Sequence, residues 1–196
     1  MAKVVTVGIC VLSILAGIIV GGAKPEESAC RQEVKGNILK VGDRAPDFEA
    51  PYATAEKVIL DKPWRLSEEI GEKVVVLAFY PADFSPGCTK QMCTFRDNFQ
   101  ALAGLNAKVV GISGDYVWAH HFWAKSENLP FPLLSDHFHH IGRLYGSYDE
   151  KTGYNKRTVF VIDGKGIIRY VDMEYSVQDE KDFEMLKAAV KRLSKR

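Results

Sequence analysis

Net charge is nearly absent from this 196-residue chain: 26 Lys and Arg stand against 25 Asp and Glu, leaving +1 with histidines neutral. That balance leaves no electrostatic footprint for nucleic acid or for an acidic surface. Internal repeats and low-complexity tracts are missing, which points to one ordinary domain. Hydrophobic residues at 46% and charged residues at 26% are usual for a globular chain with a full core. Cysteine is scarce. The four cysteines are Cys10, Cys30, Cys88 and Cys93, and no two of them form a C-x-x-C pair.

Long hydrophobic runs are limited to one. Val4 to Val20 is apolar, with Lys3 as the only charge before it. Such a run reads as a signal peptide or an amino-terminal membrane anchor, and Gly21-Gly22-Ala23 offers the small residues of a cleavage site. Residues 1–23 are therefore expected to direct export, with the domain periplasmic, luminal or extracellular, or anchored through residues 4–22. Residues 24–38 are polar, contain Pro25 and Gly36, and read as a linker. In an oxidising compartment, Cys30 of that linker could pair with Cys88 or Cys93, bridge two chains or stay free.

What is present is concentrated between Val74 and Leu102. Val74 to Tyr80 is an apolar run rich in β-branched and aromatic residues, the composition of a strand buried on both faces. Met92, Phe95, Phe99 and Leu102 follow at helical spacing. Between them, Ser85 stands as N-cap and Pro86 as first helical residue. Cys88 then falls in the first helical turn, beyond the carboxyl end of a central strand, where open α/β sheets put their chemistry. The unpaired N–H groups and dipole of a helix start favour a thiolate over a thiol there.

Cys93 follows five residues later. In an intact helix that spacing puts the two Cα atoms roughly 8–9 Å apart, and a disulfide spans about 4.4–6.8 Å. The two sulfurs can stay reduced in a folded helix and can join only if its first turns unwind.

The run Pro81-x-x-x-Ser85-x-x-Cys88 resembles the P-x-x-x-[T/S]-x-x-C motif of peroxiredoxins, and Cys88-x4-Cys93 resembles their Q, or bacterioferritin-comigratory-protein, type. The resemblance extends from about Leu39 to Leu193, through Val41–Phe48, Val110–Ser113, Phe131–Asp136 and Arg157–Asp163. Ser85 replaces the commoner Thr, and Gln91 stands where many members have Glu. The resemblance implies a thioredoxin-like α/β sandwich over residues 39–196, with a central mixed sheet flanked by helices. It implies a thiol peroxidase acting on hydrogen peroxide and organic hydroperoxides. Cys88 would attack, Cys93 resolve, Arg157 stabilise the charge, Ser85 bind the peroxide and Pro81 shield the sulfur. No metal, haem or flavin is implied. The reductant would be thioredoxin or a thioredoxin-like protein, and the chain a monomer or weak dimer.

Elsewhere the pattern predicts an extended entry over 41–51 and surface structure over 53–71, with Trp64 and Leu66 anchoring a short helix start. It predicts a strand at Lys108–Ile112 and a helix over 115–128 with Trp118, Phe122 and Trp123 inward. A second helix is expected over 137–145 with Ile141, Leu144 and Tyr145 on one side. Thr158–Ile162 and Ile167–Val171 read as a hairpin, and 179–196 as an amphipathic helix. His120, His121, His137, His139 and His140 raise a metal site, but no carboxylate or cysteine pattern at ligand spacing accompanies them, so surface or partly packed histidines are the expectation. A thiol–disulfide exchanger on the same fold is the competing enzyme. It expects C-x-x-C, and this chain has C-x4-C.

Overall fold

The central strand decides the architecture. In the computed structural model, which describes residues 39–71 and 73–194, the apolar run forms a strand, Val74–Phe79, with every residue buried. Its alternate side chains leave on opposite faces, because successive Cβ atoms in a strand point oppositely. Val74, Val76, Ala78 and the following Tyr80 join one core, with Met92, Phe95, Trp123 and Leu186. Val75, Leu77 and Phe79 join the other, with Phe48, Trp64, Ile141, Tyr145 and Phe160. Each of the Val, Leu, Ile, Phe and Met side chains among them contributes about 1.5–3 kcal/mol on burial, so this strand is expensive to disrupt on either side.

Nine strands and six helices follow one another as β1 (Glu49–Ala53), β2 (Val58–Arg65), α1 (Leu66–Glu69), β3 (Val74–Phe79), α2 (Pro86–Asp97), α3 (Phe99–Ala103), β4 (Ala107–Ser113) and α4 (Val117–Ser126) among the described residues. They continue as β5 (Leu133–Ser135), α5 (His140–Leu144), β6 (Tyr148–Asp149), β7 (Tyr154–Asn155), β8 (Thr158–Ile162), β9 (Ile168–Asp172) and α6 (Glu180–Leu193). Seven strands form one sheet in the order β2-β1-β5-β4-β3-β8-β9. β3, β4 and β5 run parallel, and the outer pairings are antiparallel, so the sheet is mixed. Helices α2, α4 and α6 contribute buried residues to one face, and α1 and α5 to the other. This is the expected sandwich. β6 and β7 form a separate two-stranded ribbon.

The hairpin at 158–172 and the last helix form where the pattern places them. Asp179 caps α6, its carboxylate accepting from the Lys181 N–H at 2.9 Å, and Phe183, Leu186 and Val190 turn inward. Four expectations need correction. Residues 53–71 hold a strand that the pattern did not give: β2 pairs with β1 across a bulge at one edge of the sheet, while Trp64 and Leu66 are buried beside α1 as expected. The helix after Cys88 breaks at Asn98, whose backbone leaves helical geometry (φ −103°, ψ 6°) and whose amide Nδ2 donates to the Thr94 carbonyl at 2.9 Å. Trp118 and Phe122 face outward, 58% and 63% exposed. The buried face of α4 is Val117, His120, Trp123 and Ala124, because His120 finds hydrogen-bond partners inside. Helix α5 starts at His140 rather than His137, since the Asp136 carboxylate accepts from the N–H groups of Ile141 and Gly142 at 3.1 and 2.7 Å, and Leu144 is left 38% exposed. The apolar run, the linker, Cys10 and Cys30 lie outside the described residues.

Candidate active site

Two chain segments meet at Cys88. The first is the turn after β3. Ser85 takes extended backbone angles, Pro86 opens α2, and the Ser85 carbonyl accepts from the Thr89 N–H at 2.8 Å. Ser85 is thus the N-cap residue, but its hydroxyl makes no capping bond, which leaves it uncommitted. Pro81 is half-buried on the same loop. The second segment arrives through sheet register. β3 and β8 are antiparallel with Phe79 opposite Thr158, so Arg157, just before β8, lies at the end of β3 where the Cys88 turn begins. The Tyr175 N–H donates to the Arg157 carbonyl at 2.9 Å and holds that backbone.

The meeting is direct. Arg157 Nη2 lies 3.5 Å from Cys88 Sγ, and Cys88 is wholly buried. A permanent cation at this position can stabilise negative charge that develops beside the sulfur. Cys88 and Cys93 are both free thiols. Gln91, also wholly buried, donates from Nε2 to the Phe79 carbonyl at 3.4 Å, tying α2 to the end of β3. As an amide it has no titratable proton to exchange with the site.

Residues 41–171, which hold both Cys88 and Arg157, match the AhpC/TSA family. The chain belongs to that family. A peroxiredoxin bcp of Coxiella burnetii is 39% identical over 139 residues, covering 68% of this chain and 87% of the relative. The chloroplastic peroxiredoxin Q of Triticum aestivum is 44% identical over 139 residues, covering 70% of this chain and 60% of its own length. The crystal structure of peroxidoxin BcpB from Mycobacterium tuberculosis superposes with a TM-score of 0.69 at 34% identity, covering 79% of this chain and 98% of that one. This peroxiredoxin is accordingly a thiol-dependent peroxidase. The relatives also correct the expectation of export. They are a bacterial bcp protein and a chloroplastic one, and among the described residues no helix is long and apolar enough to cross a membrane.

Cys93 lies in a different environment from Cys88. It is half-buried on α2, and its Sγ is 3.6 Å from Glu127 Oε2 at the end of α4. Desolvation pushes the Cys93 thiol up, and the Glu127 carboxylate adds to that. Arg96 Nη1, one turn on, donates to the Glu127 carbonyl at 2.7 Å. Cys88 thus faces the Arg157 cation, whereas Cys93 has both the Glu127 carboxylate and the opposing Arg96 cation near it.

Two of the other histidines are held by backbone carbonyls. His121 Nδ1 is 2.9 Å from the Thr54 carbonyl and His137 Nδ1 is 3.2 Å from the Gly114 carbonyl. Among the described residues no group of three or more His, Cys, Asp or Glu side chains is arranged so that it could hold a metal ion.

Gly87 also borders the site, a placement that the sequence pattern did not give. A Cβ built on it would overlap Arg157 Nη2, so the absent side chain is the gap through which the guanidinium reaches the sulfur. Gly87 has no positive φ, and alanine is a better helix former by about 1 kcal/mol. Gly87→Ala should therefore fold at least as well as wild type, with Arg157 displaced. Stopped-flow oxidation should show the peroxide rate falling roughly tenfold or more, as for a misplaced catalytic group. An unchanged rate in the folded variant would mean that Arg157 need not reach this position.

Proposed function

We propose that Cys88 is the sulfur that peroxide oxidises, and that Cys93 resolves it within the same chain. The observation that carries the reading is the 3.5 Å approach of Arg157 Nη2 to the buried Cys88 Sγ. In the first step the Cys88 thiolate attacks one oxygen of ROOH. The S–O bond forms, the O–O bond breaks, and RO⁻ leaves and is protonated to ROH. Charge moves from sulfur to the departing oxygen, and Arg157 is placed to stabilise both. The uncommitted Ser85 hydroxyl would donate to the bound peroxide, and Pro81 would keep water from the sulfur. Cys88 is left as a sulfenic acid.

In the second step Cys93 attacks the Cys88 sulfenic sulfur, giving a disulfide and water. Both residues sit in α2 as it stands, so the helix start must open first. Pro86 gives that start no donor, and the tether of Cys93 and Arg96 to Glu127 must release. A dithiol donor of the thioredoxin type then reduces the disulfide. Peroxide-treated wild type should yield a Cys88–Cys93 bridge by non-reducing mass spectrometry. Amide exchange from Cys88 to about Phe95 should be faster in oxidised than in reduced protein. Cys93→Ser should complete one oxidation and then stall with a thioredoxin donor. A bridge from Cys88 to Cys30 with Cys93 free would remove Cys93 from this role and leave the first step intact.

A further inference from the structure

The loop that presents Cys88 is pinned from beneath by a buried polar cluster that the two steps above do not use. Asp83, at the loop's centre, is buried, and its side chain is 1% exposed. Its Oδ1 accepts from the Tyr80 hydroxyl at 2.8 Å, and its Oδ2 lies 2.8 Å from His120 Nδ1. The Asp83 N–H donates to Asp115 Oδ2 at 3.0 Å, and Ser113 Oγ donates to that same oxygen at 2.7 Å. His120 is wholly buried on α4, and its Nε2 lies 3.1 Å from the Leu134 carbonyl of β5. The loop is thereby bonded to α4 directly, and through His120 to β5.

The protons in this cluster can be counted. The Leu134 carbonyl can only accept, so His120 Nε2 carries a hydrogen. The Tyr80 hydroxyl gives its hydrogen to Asp83. A bond between Asp83 Oδ2 and His120 Nδ1 at this distance needs one further proton, on either atom. Burial and the Asp83 charge hold the Tyr80 hydroxyl proton firmly.

The loop needs such a hold. Phe84, next to Asp83, has φ +59°, a left-handed geometry that costs a non-glycine residue of order 1–3 kcal/mol, and its ring is 58% exposed. Its only ring partner among the described residues is Trp123 at 6.1 Å, itself one turn beyond His120 on α4. Ser85 and the start of α2 follow at once. A loop strained at 84 and fixed at 83 sets where residues 85–88 begin.

We propose that His120 is a positioning residue for the reaction at Cys88: from α4 it holds the Asp83 carboxylate, and with it the loop carrying Pro81 and Ser85. This rests on Cys88 as the attacking sulfur. The work of the cluster is geometric, and that distinguishes it from a proton relay. An asparagine at 83 can reproduce every bond without charge, its Oδ1 accepting from Tyr80 and its Nδ2 donating to a neutral His120 Nδ1.

The test is the second-order rate of Cys88 oxidation by hydrogen peroxide in Asp83→Asn, Tyr80→Phe and His120→Phe, with thermal melts alongside. Asp83→Asn should stay within about threefold of wild type. His120→Phe should fall roughly 10- to 100-fold, as expected when a reacting group is displaced by an ångström or so. Tyr80→Phe, which removes one bond and leaves the imidazole in place, should fall between them. If His120→Phe does not fold, the other two variants decide. Wild-type rates in folded His120→Phe, or in Tyr80→Phe where that is the only informative variant, would overturn the proposal. A fall in Asp83→Asn as deep as in the other variants would overturn it too, by assigning the role to charge. Turnover retained in Cys88→Ser would instead sink the reading on which it rests.

Discussion

Cys88→Ser should abolish peroxide turnover while the fold persists. The hydroxyl of serine stays protonated near neutral pH and is a poor nucleophile without a base to activate it. His120 is not free to serve as that base: it is bonded to Asp83 and the Leu134 carbonyl. The loss should be on the order of 10³-fold or more, the scale of removing a nucleophile elsewhere. Stability should move little. Cys88 packs beside Met92 in a buried cluster, and a serine there loses some packing. Arg157 Nη2 can donate to its oxygen, which limits the penalty to about 1 kcal/mol. A peroxide-consumption assay with dithiothreitol and with thioredoxin, run beside a thermal melt, separates the two quantities. Retained turnover in a folded variant would remove Cys88 from the mechanism.

Arg157→Met should slow Cys88 oxidation by roughly 10²- to 10³-fold, the range for removing one preorganised donor from a developing charge. Methionine keeps most of the aliphatic volume and removes the cation. Here activity and stability should part company. Arg157 Nε is buried with no hydrogen-bond partner, so the folded state already bears the expense of an unsatisfied donor. The backbone bond from the Tyr175 N–H to the Arg157 carbonyl does not depend on the side chain. The variant should melt at the wild-type temperature or above it, the usual exchange where a strained site is relieved. An unchanged oxidation rate would show that the 3.5 Å contact does not act in the reaction.

Much of this site could be read from the sequence because its parts are local. The strand Val74–Phe79, the N-cap at Ser85, Pro86 and the helical position of Cys88 all lie within fifteen residues, where periodicity and capping rules apply. Arg157 entered only through the family resemblance. Sixty-nine residues separate it from Cys88, and the β3–β8 register that joins them is a property of the sheet. The β1–β2 hairpin escaped because Lys62-Pro63 breaks its apolar alternation, and a proline at a sheet edge is tolerated. The buried side of α4 was misread for a related reason. Trp118 and Phe122 look like core residues by hydrophobicity, yet His120 is the wholly buried residue, because Asp83 and the Leu134 carbonyl satisfy its ring. A signal was present: Val117, His120 and Ala124 repeat at helical spacing, with Trp123 beside them.

The central claim is that peroxide reacts at Cys88 first. Cys93→Ser protein treated with equimolar hydrogen peroxide in the presence of dimedone, digested and mapped by mass spectrometry, tests it without depending on any reductant. The account predicts the sulfenic-acid adduct on the peptide containing Cys88. Peroxide consumed with Cys88 unmodified would contradict it.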